Sequence, residues 1–239
     1  MKWAVYENKE IASKITANTI IDVINKKSDA NICLPTGSSP HVCFKYMVNA
    51  YINKEVDYKN TKFYNMDNYF KIDKMHPASF YFSLYETLYK NIKVPAQNTF
   101  TPQTTNIDPI KACLEYDQLF KNNGNMDVIY LGIGEDGHIA YNLPCKKINH
   151  DTHIEFLNET LQYNDGEVVF DQAITIGISR ILESKKIILN AFGKKKAKII
   201  KQLYDCKVVN PLLPASYLLQ HDDVTIILDQ EAASMLGGN

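Results

Sequence analysis

Arginine is almost missing from this chain: of 26 basic residues only Arg180 is one, and the rest are lysines. A site that grips an anion with several bidentate guanidinium groups is therefore excluded. The single arginine fits an AT-rich coding bias better than a function. Net charge is also lacking. The 26 basic side chains stand against 27 acidic ones, for a formal charge of −1. No basic excess exists to hold nucleic acid by its phosphates. The five cysteines (Cys33, Cys43, Cys113, Cys145 and Cys206) are odd in number, scattered and without a C-x-x-C pair. Neither a zinc site nor a disulfide framework is expected from them, and free thiols fit a reducing cytoplasm. No apolar run is long enough to span a membrane, and residues 1–7 read as a strand, not a signal peptide. No Pro- or Gly-rich linker and no repeat divides the chain, so one domain over residues 1–239 is the economical reading.

What is present is a globular composition, 45% apolar and 22% charged, with strand-like and helix-like segments in alternation. Strands are expected over 3–6, 30–34, 61–65, 127–131, 186–191 and 224–228. Helices are expected over 10–26, where Ile11, Ile15, Ile20, Val23 and Ile24 recur at helical spacing, and over 41–53, 77–90, 110–122 and 195–203. Ser39 reads as the N-cap of the second helix, with Pro40 at its first helical position. Residues 173–178 read as a strand or as the run into a helix ending near Ser184. Residues 144–164 look irregular, and the tail from Glu231 looks frayed. Repeated strand–helix units predict an α/β fold of Rossmann-like type, a mostly parallel sheet with helices on both faces.

In such a sheet ligands bind beyond the carboxyl ends of the strands, and three strand ends carry chemistry. The stretch Gly132-Ile133-Gly134-Glu135-Asp136-Gly137-His138 follows an apolar strand. Its glycines allow a sharp turn and close backbone approach, and its Asp136 and His138 can move protons. Leu34-Pro35-Thr36-Gly37-Ser38-Ser39-Pro40 offers backbone N–H groups, three hydroxyls and the positive end of a helix. That combination holds a phosphate without arginine, though an ordinary capped helix start reads the same way. Asp67 follows a third strand among aromatics, where partial burial makes a carboxylate a better base than it is in water; an Asp capping a turn is the alternative. A fourth segment, Gly193-Lys194-Lys195-Lys196-Ala197, could bring one ammonium to a phosphate or be a solvated lysine run.

With Asn65-Met66-Asp67-Asn68-Tyr69, Ile139-Ala140-Tyr141-Asn142 and Pro214-Ala215-Ser216-Tyr217-Leu218-Leu219-Gln220-His221 added, the chain resembles the glucosamine-6-phosphate deaminase family, galactosamine-6-phosphate isomerases included, over nearly its whole length. The resemblance implies an enzyme that opens the ring of an aminosugar 6-phosphate, shifts a proton from C2 to C1 and releases ammonia. It assigns Asp67 as the enolising base, His138 to the ring oxygen and Asp136 to orienting His138. It assigns Thr36, Gly37, Ser38, Ser39 and Lys196 to the substrate and its phosphate. No metal or organic cofactor is implied, and family members range from monomers to hexamers.

Three departures from the family stand out. Its usual Asn-Glu-Pro is here Asn142-Leu143-Pro144, and leucine cannot support an imidazolium as the glutamate does. Its Asp-Glu-Tyr is Asp67-Asn68-Tyr69. Its Ser-Arg-Phe-Phe arginine has no counterpart in residues 160–169. Leu143 leaves His138 to Asp136 or to a carboxylate from elsewhere. A 6-phosphogluconolactonase-like hydrolase and a low-turnover sugar-phosphate-binding protein stay open beside the deaminase. The Ile139 and Asn142 that flank the loop side with the deaminases. Tyr64, Tyr69, Phe80, Tyr81 and Phe82 are candidates for site walls or for core. His221 reads as structural, and His150 and His153 as solvated. Glu155 and the scarcity of nearby cations argue against an allosteric phosphate site.

Overall fold

The computed structural model of the chain describes residues 1–163 and 166–237, with only the backbone within the strands that cover 158–169. In chain order the elements are β1 (Lys2–Tyr6), α1 (Lys9–Lys26), β2 (Asn31–Leu34), α2 (His41–Ile52), β3 (Lys62–Asn65), β4 (Asp67–Tyr69) and α3 (Phe80–Leu84). They continue with β5 (Thr99–Phe100), α4 (Pro109–Asn123), β6 (Val128–Leu131), β7 (His153–Tyr163) and β8 (Gly166–Thr175). The chain closes with α5 (Ile178–Leu182), β9 (Ile187–Ala191), α6 (Ala197–Asp205) and β10 (Val224–Asp229).

Seven strands form one sheet in the order β1-β10-β9-β6-β2-β3-β5, every neighbouring pair parallel. Its central strands are mostly apolar because both faces are covered, with Asn31 and Asn190 the buried polar exceptions in β2 and β9. Side chains alternate between the faces with the strand period of two. Ile32, Leu34, Val128, Tyr130 and Ile188 point to the layer with Ile20 and Ile24 of α1 and Phe44 and Met47 of α2. Cys33, Ile129, Leu131 and Leu189 point to the other, with Tyr116 and Phe120 of α4 and Ile199 and Leu203 of α6. Each such fully buried aliphatic side chain contributes about 1.5–3 kcal/mol relative to exposure.

The helix starts are set by polar caps. Asn8 accepts the Ile11 N–H at 3.0 Å, and Asp108 accepts the Lys111 N–H at 3.0 Å, with Pro109 opening the helix. Gly124, at φ +83°, ends α4. The second helix differs from expectation: Pro40 stands at its N-cap and no side chain caps it, so Ser39 is free of that task. The helix expected over 77–90 starts three residues later and changes pitch. Ser79 caps α3 through the Tyr81 N–H (3.2 Å), and residues Tyr85–Tyr89 continue it as a π-helical turn.

The larger correction concerns residues 144–164. They contain an eleven-residue strand, β7, which pairs antiparallel with β8; β8 in turn pairs with β4, giving a second, three-stranded sheet. The register slips between Phe156 and Glu159. That bulge breaks the period of two that would have marked the strand in the sequence. The tail is also held better than expected: Ala232 is fully buried and its N–H donates to Asp229 Oδ1 at 2.8 Å, while residues 238–239 lie outside those described. No described helix is long and apolar enough to cross a membrane.

Candidate active site

β2 and β6 are neighbours, yet the sheet grows away from them in opposite directions: β3 and β5 lie beyond β2, and β9, β10 and β1 lie beyond β6. Loops leaving two strands at such a reversal diverge and open a crevice at the carboxyl ends. A cleft of about 620 Å³ lies there, and Thr36, Gly37, Ser38, Ser39, Asp67, Asp136, His138 and Lys196 all line it. The residues expected to move protons or to hold the substrate and its phosphate thus line one cleft.

The turn of residues 35–40 follows β2. The Phe44 N–H is the first to bond into α2, reaching the Pro40 carbonyl at 2.9 Å. The amides of the first turn before it have no acceptor within the helix.

The loop after β6 is closed by the Gly134 N–H donating to the His138 carbonyl (2.9 Å) and the Gly137 N–H donating to the Gly134 carbonyl (3.1 Å). Gly137 has φ +92°, and a Cβ there would strike the Leu213 side chain, so only glycine fits. The loop folds Asp136 back onto His138. Asp136 Oδ1 accepts the His138 backbone N–H at 3.2 Å and lies 2.7 Å from Nδ1. That oxygen sits off the line of an Nδ1–H bond, so its hold on the ring is electrostatic and not a straight hydrogen bond.

Asp67 opens β4 and is 7% exposed. It stands near the Cys33 thiol, whose pKa is pushed up by burial and further by the Asp67 charge. Two polar residues, Thr175, which the motifs did not include, and Asn142, which they did, tie the strand that carries this carboxylate to the His138 loop. Thr175 faces Asp67 across the β4–β8 pair, and its hydroxyl accepts the Tyr141 N–H at 3.1 Å. Asn142, 1% exposed, donates from Nδ2 to the carbonyls of Ile139 (3.0 Å) and Ile176 (2.9 Å). Between them Ala140 takes a φ of +50°, a left-handed conformation rare for a residue with a Cβ.

Of the three consecutive lysines, Lys194 and Lys195 are exposed and Lys196 lines the cleft, its Nζ donating to the Ile133 carbonyl at 2.7 Å. Burial lowers its pKa below the ordinary 10.5, while the charges of Glu135 and Asp136 push it back up. Tyr130 and Asn190 also line the cleft, joined by an Asn190 Nδ2–Tyr130 Oη bond of 3.0 Å. Asn190 had a legible signal, a polar residue inside the apolar run Ile187–Ala191. Phe80 and Tyr141 stack at 5.8 Å and wall the site, with the Tyr141 and His138 rings nearly parallel at 6.4 Å. Tyr64 is no wall. It is fully buried, with Phe100 at 4.7 Å and Phe120 at 5.3 Å. Among the described residues no group of three or more His, Cys, Asp or Glu could hold a metal ion.

Residues 8–227 match the sequence model of glucosamine-6-phosphate isomerases/6-phosphogluconolactonases. The chain belongs to that family. It is 37% identical over 236 residues to glucosamine-6-phosphate deaminase of Bacillus pumilus, covering 96% of this chain and 98% of that one. It is 38% identical over 231 residues to that of Clostridium novyi, covering 94% of each. Among solved structures it superposes on a monomeric glucosamine-6-phosphate deaminase with a TM-score of 0.92 at 31% identity, over 98% of this chain and 100% of that one. The 6-phosphogluconolactonase of Trypanosoma brucei shares the fold, with a TM-score of 0.79 at 20% identity over 99% and 98%.

For a member of this family the departures now have locations. Leu143 is partly buried in a satellite apolar cluster with Tyr69, Leu157, Phe170 and Ala173. The position where the family resemblance calls for a glutamate is therefore packed as hydrocarbon. Asn68 does not line the cleft. Fully buried, it pairs with the Ser79 hydroxyl and accepts the Phe80 N–H at 3.0 Å, holding the start of α3. The side chains of 160–169, the stretch that corresponds to the family's Ser-Arg-Phe-Phe segment, lie outside the described residues. Arg180 is paired with Glu183 at 2.7 Å and lies 3.8 Å from Asp117, off the cleft. His221 is structural: its Nε2 meets the Ser184 carbonyl at 2.7 Å and its Nδ1 accepts the Asp223 N–H. His150 is exposed as expected, but His153 is not solvated. Its side chain is 13% exposed and held by the Asp151 carbonyl (2.9 Å) and Glu155 (3.5 Å).

Proposed function

We propose that this chain is an aminosugar-6-phosphate deaminase, turning glucosamine 6-phosphate or galactosamine 6-phosphate into the ketose 6-phosphate and ammonia. The observation that carries this reading is that Asp67, on the small sheet, and the Asp136–His138 pair, on the loop after β6 of the large one, line one cleft that also holds a phosphate-type turn and Lys196. Gly37, Ser38, Ser39 and Lys196 bind the 6-phosphate, with Thr36 beside them. His138, held by Asp136, gives a proton to the ring oxygen as the C1–O bond breaks, and the C1 hydroxyl releases its own proton to solvent as it becomes a carbonyl. Asp67 then removes the C2 proton and returns one to C1. The resulting C2 imine takes up water and expels ammonia. Each step is a proton transfer beside a carbonyl or imine, the task of positioned acids and bases, so the residues in place suffice without a metal or organic cofactor. The family match over residues 8–227 supports treating the 239 residues as one catalytic domain, and five free cysteines fit a cytoplasmic setting. The reading accommodates a monomer or a homo-oligomer.

The test is ammonia release from the two aminosugar phosphates in parallel, with 6-phosphogluconolactone as a third substrate. Ammonia from at least one, lost in Asp67→Asn together with C2 deuterium exchange in heavy water, is the expected result. Hydrolysis of the lactone without ammonia release would overturn it in favour of the hydrolase, and sugar-phosphate binding without turnover would leave a binding protein.

A further inference from the structure

A phosphate monoester near neutral pH carries close to two negative charges, and the cleft as described offers it one cation. Lys196 is itself partly committed, bonded to the Ile133 carbonyl and drawn by Glu135 and Asp136. Arg180 is turned away to Glu183. A second cation does stand at the phosphate turn. Lys9 is the first residue of α1, directly after the Asn8 cap. A cation in the first turn of a helix opposes the helix dipole, so helix stability gives no reason for a lysine there. A residue that breaks such a local rule is expected at a functional site. Its half-buried side chain leaves the helix and sets Nζ 3.3 Å from the Ser38 carbonyl, and the same Nζ lies 5.9 Å from the centre of the Phe192 ring. Ser38 belongs to the turn that follows β2, and Phe192 begins the segment between β9 and Lys196. The Lys9 ammonium is thus bracketed by the two segments from which the cleft would hold a phosphate.

We infer that Lys9 is the second cation of the phosphate subsite, a substrate-binding residue that moves from the Ser38 carbonyl to the phosphate oxygens when the substrate enters. A lysine suits this, as a point charge on a flexible four-carbon stem. The inference rests on the proposed reading of the cleft as a sugar-phosphate site. Because Lys9 does not line the cleft beside Asp67 and His138 but approaches it from the outer side of the Ser38 turn, it acts on binding and not on the proton transfers.

Calorimetric binding of inorganic phosphate and steady-state kinetics on glucosamine 6-phosphate test it with Lys9→Ala, Lys9→Arg and, as a charge control at the opposite edge of the sheet, Lys121→Ala. Loss of a charge-assisted hydrogen bond predicts that Lys9→Ala weakens phosphate binding and raises KM by about tenfold. kcat should change less than about twofold, Lys9→Arg should keep most of the affinity, and Lys121→Ala should bind as the parent does. Unchanged phosphate affinity in a folded Lys9→Ala protein overturns the inference, as does an equal loss in Lys121→Ala. If the parent releases no ammonia but binds phosphate in a Lys9-dependent way, the proposed reaction falls and the Lys9 assignment stands.

Discussion

Asp136 Oδ1 lies 2.7 Å from His138 Nδ1 while accepting the His138 backbone N–H. One carboxylate oxygen therefore fixes both the loop and the ring it carries. With Leu143 in the place of the family's usual glutamate, this is the carboxylate contact on His138 in the structure. Asp136→Asn keeps the size of the side chain and the loop bond but removes the charge. It should lower kcat by about a hundredfold or more, the scale of a disabled acid–base group, with little change in KM. Steady-state kinetics check this. A drop confined to KM would mean that Asp136 serves binding and not the ring-opening step.

Gly134 supports the same pair from below. A Cβ at this position would collide with His138 Nδ1 and Cε1 and with Asp136 Oδ1. Its neighbours in the collision are the side chains proposed for ring opening, not the core. Gly134→Ala should displace the imidazole by up to an ångström and lower kcat by about a hundredfold. The melting temperature should change little. A variant with parental kcat would show that His138 works in another rotamer.

Lys196 links the site to pH. Burial lowers its pKa, and the nearby Glu135 and Asp136 only partly restore it. In the free enzyme the ammonium is then lost below the ordinary 10.5. The sign follows directly: kcat/KM, which reports the free enzyme, should fall as pH rises toward that lowered value. Lys196→Arg stays charged throughout and should flatten that alkaline limb, whereas Lys196→Ala should raise KM by roughly tenfold at neutral pH. The same alkaline limb in the arginine variant would assign it to another group.

The candidate residues that line the cleft were legible because each sits on a short local pattern. An apolar strand ending in Gly132, Gly134 and Gly137, or in Gly37, states both its turn and its exposure at a sheet edge. The parallel order of strands followed from strand–helix alternation. What stayed hidden depended on partners far away in sequence. β7 was hidden by the register slip between Phe156 and Glu159, which interrupts the alternation that marks a strand. Thr175 and Asn142 are polar residues whose role exists only once β8 lies beside β4 and the Ile176 carbonyl comes within reach. Lys9 reads as an ordinary helix lysine until α1 is placed against the turn at Ser38. Asn68 suggests a weakened acidic site in the sequence, yet its amide faces Ser79 and the start of α3.

Leu143 is where sequence and structure pull hardest against each other. By motif, Leu143→Glu should return a carboxylate partner to His138 and raise kcat, by about tenfold on the scale of acid–base contributions. In the structure Leu143 packs with Tyr69, Leu157, Phe170 and Ala173, with Phe80 and Tyr141 alongside. A carboxylate put there would lose water without gaining a hydrogen-bond donor, at a cost of about 1–3 kcal/mol. The apolar surroundings should win: no gain in kcat on either aminosugar phosphate, and a melting temperature lower by roughly 2–10 °C for a domain of this size. Leu143→Met, which keeps the volume and the apolar contact, should leave both quantities close to the parent's. Thermal melts and parallel kinetics on the three proteins decide the matter. A faster Leu143→Glu enzyme with an unchanged melting temperature would show that the cluster opens toward His138 and that the missing glutamate still limits this site.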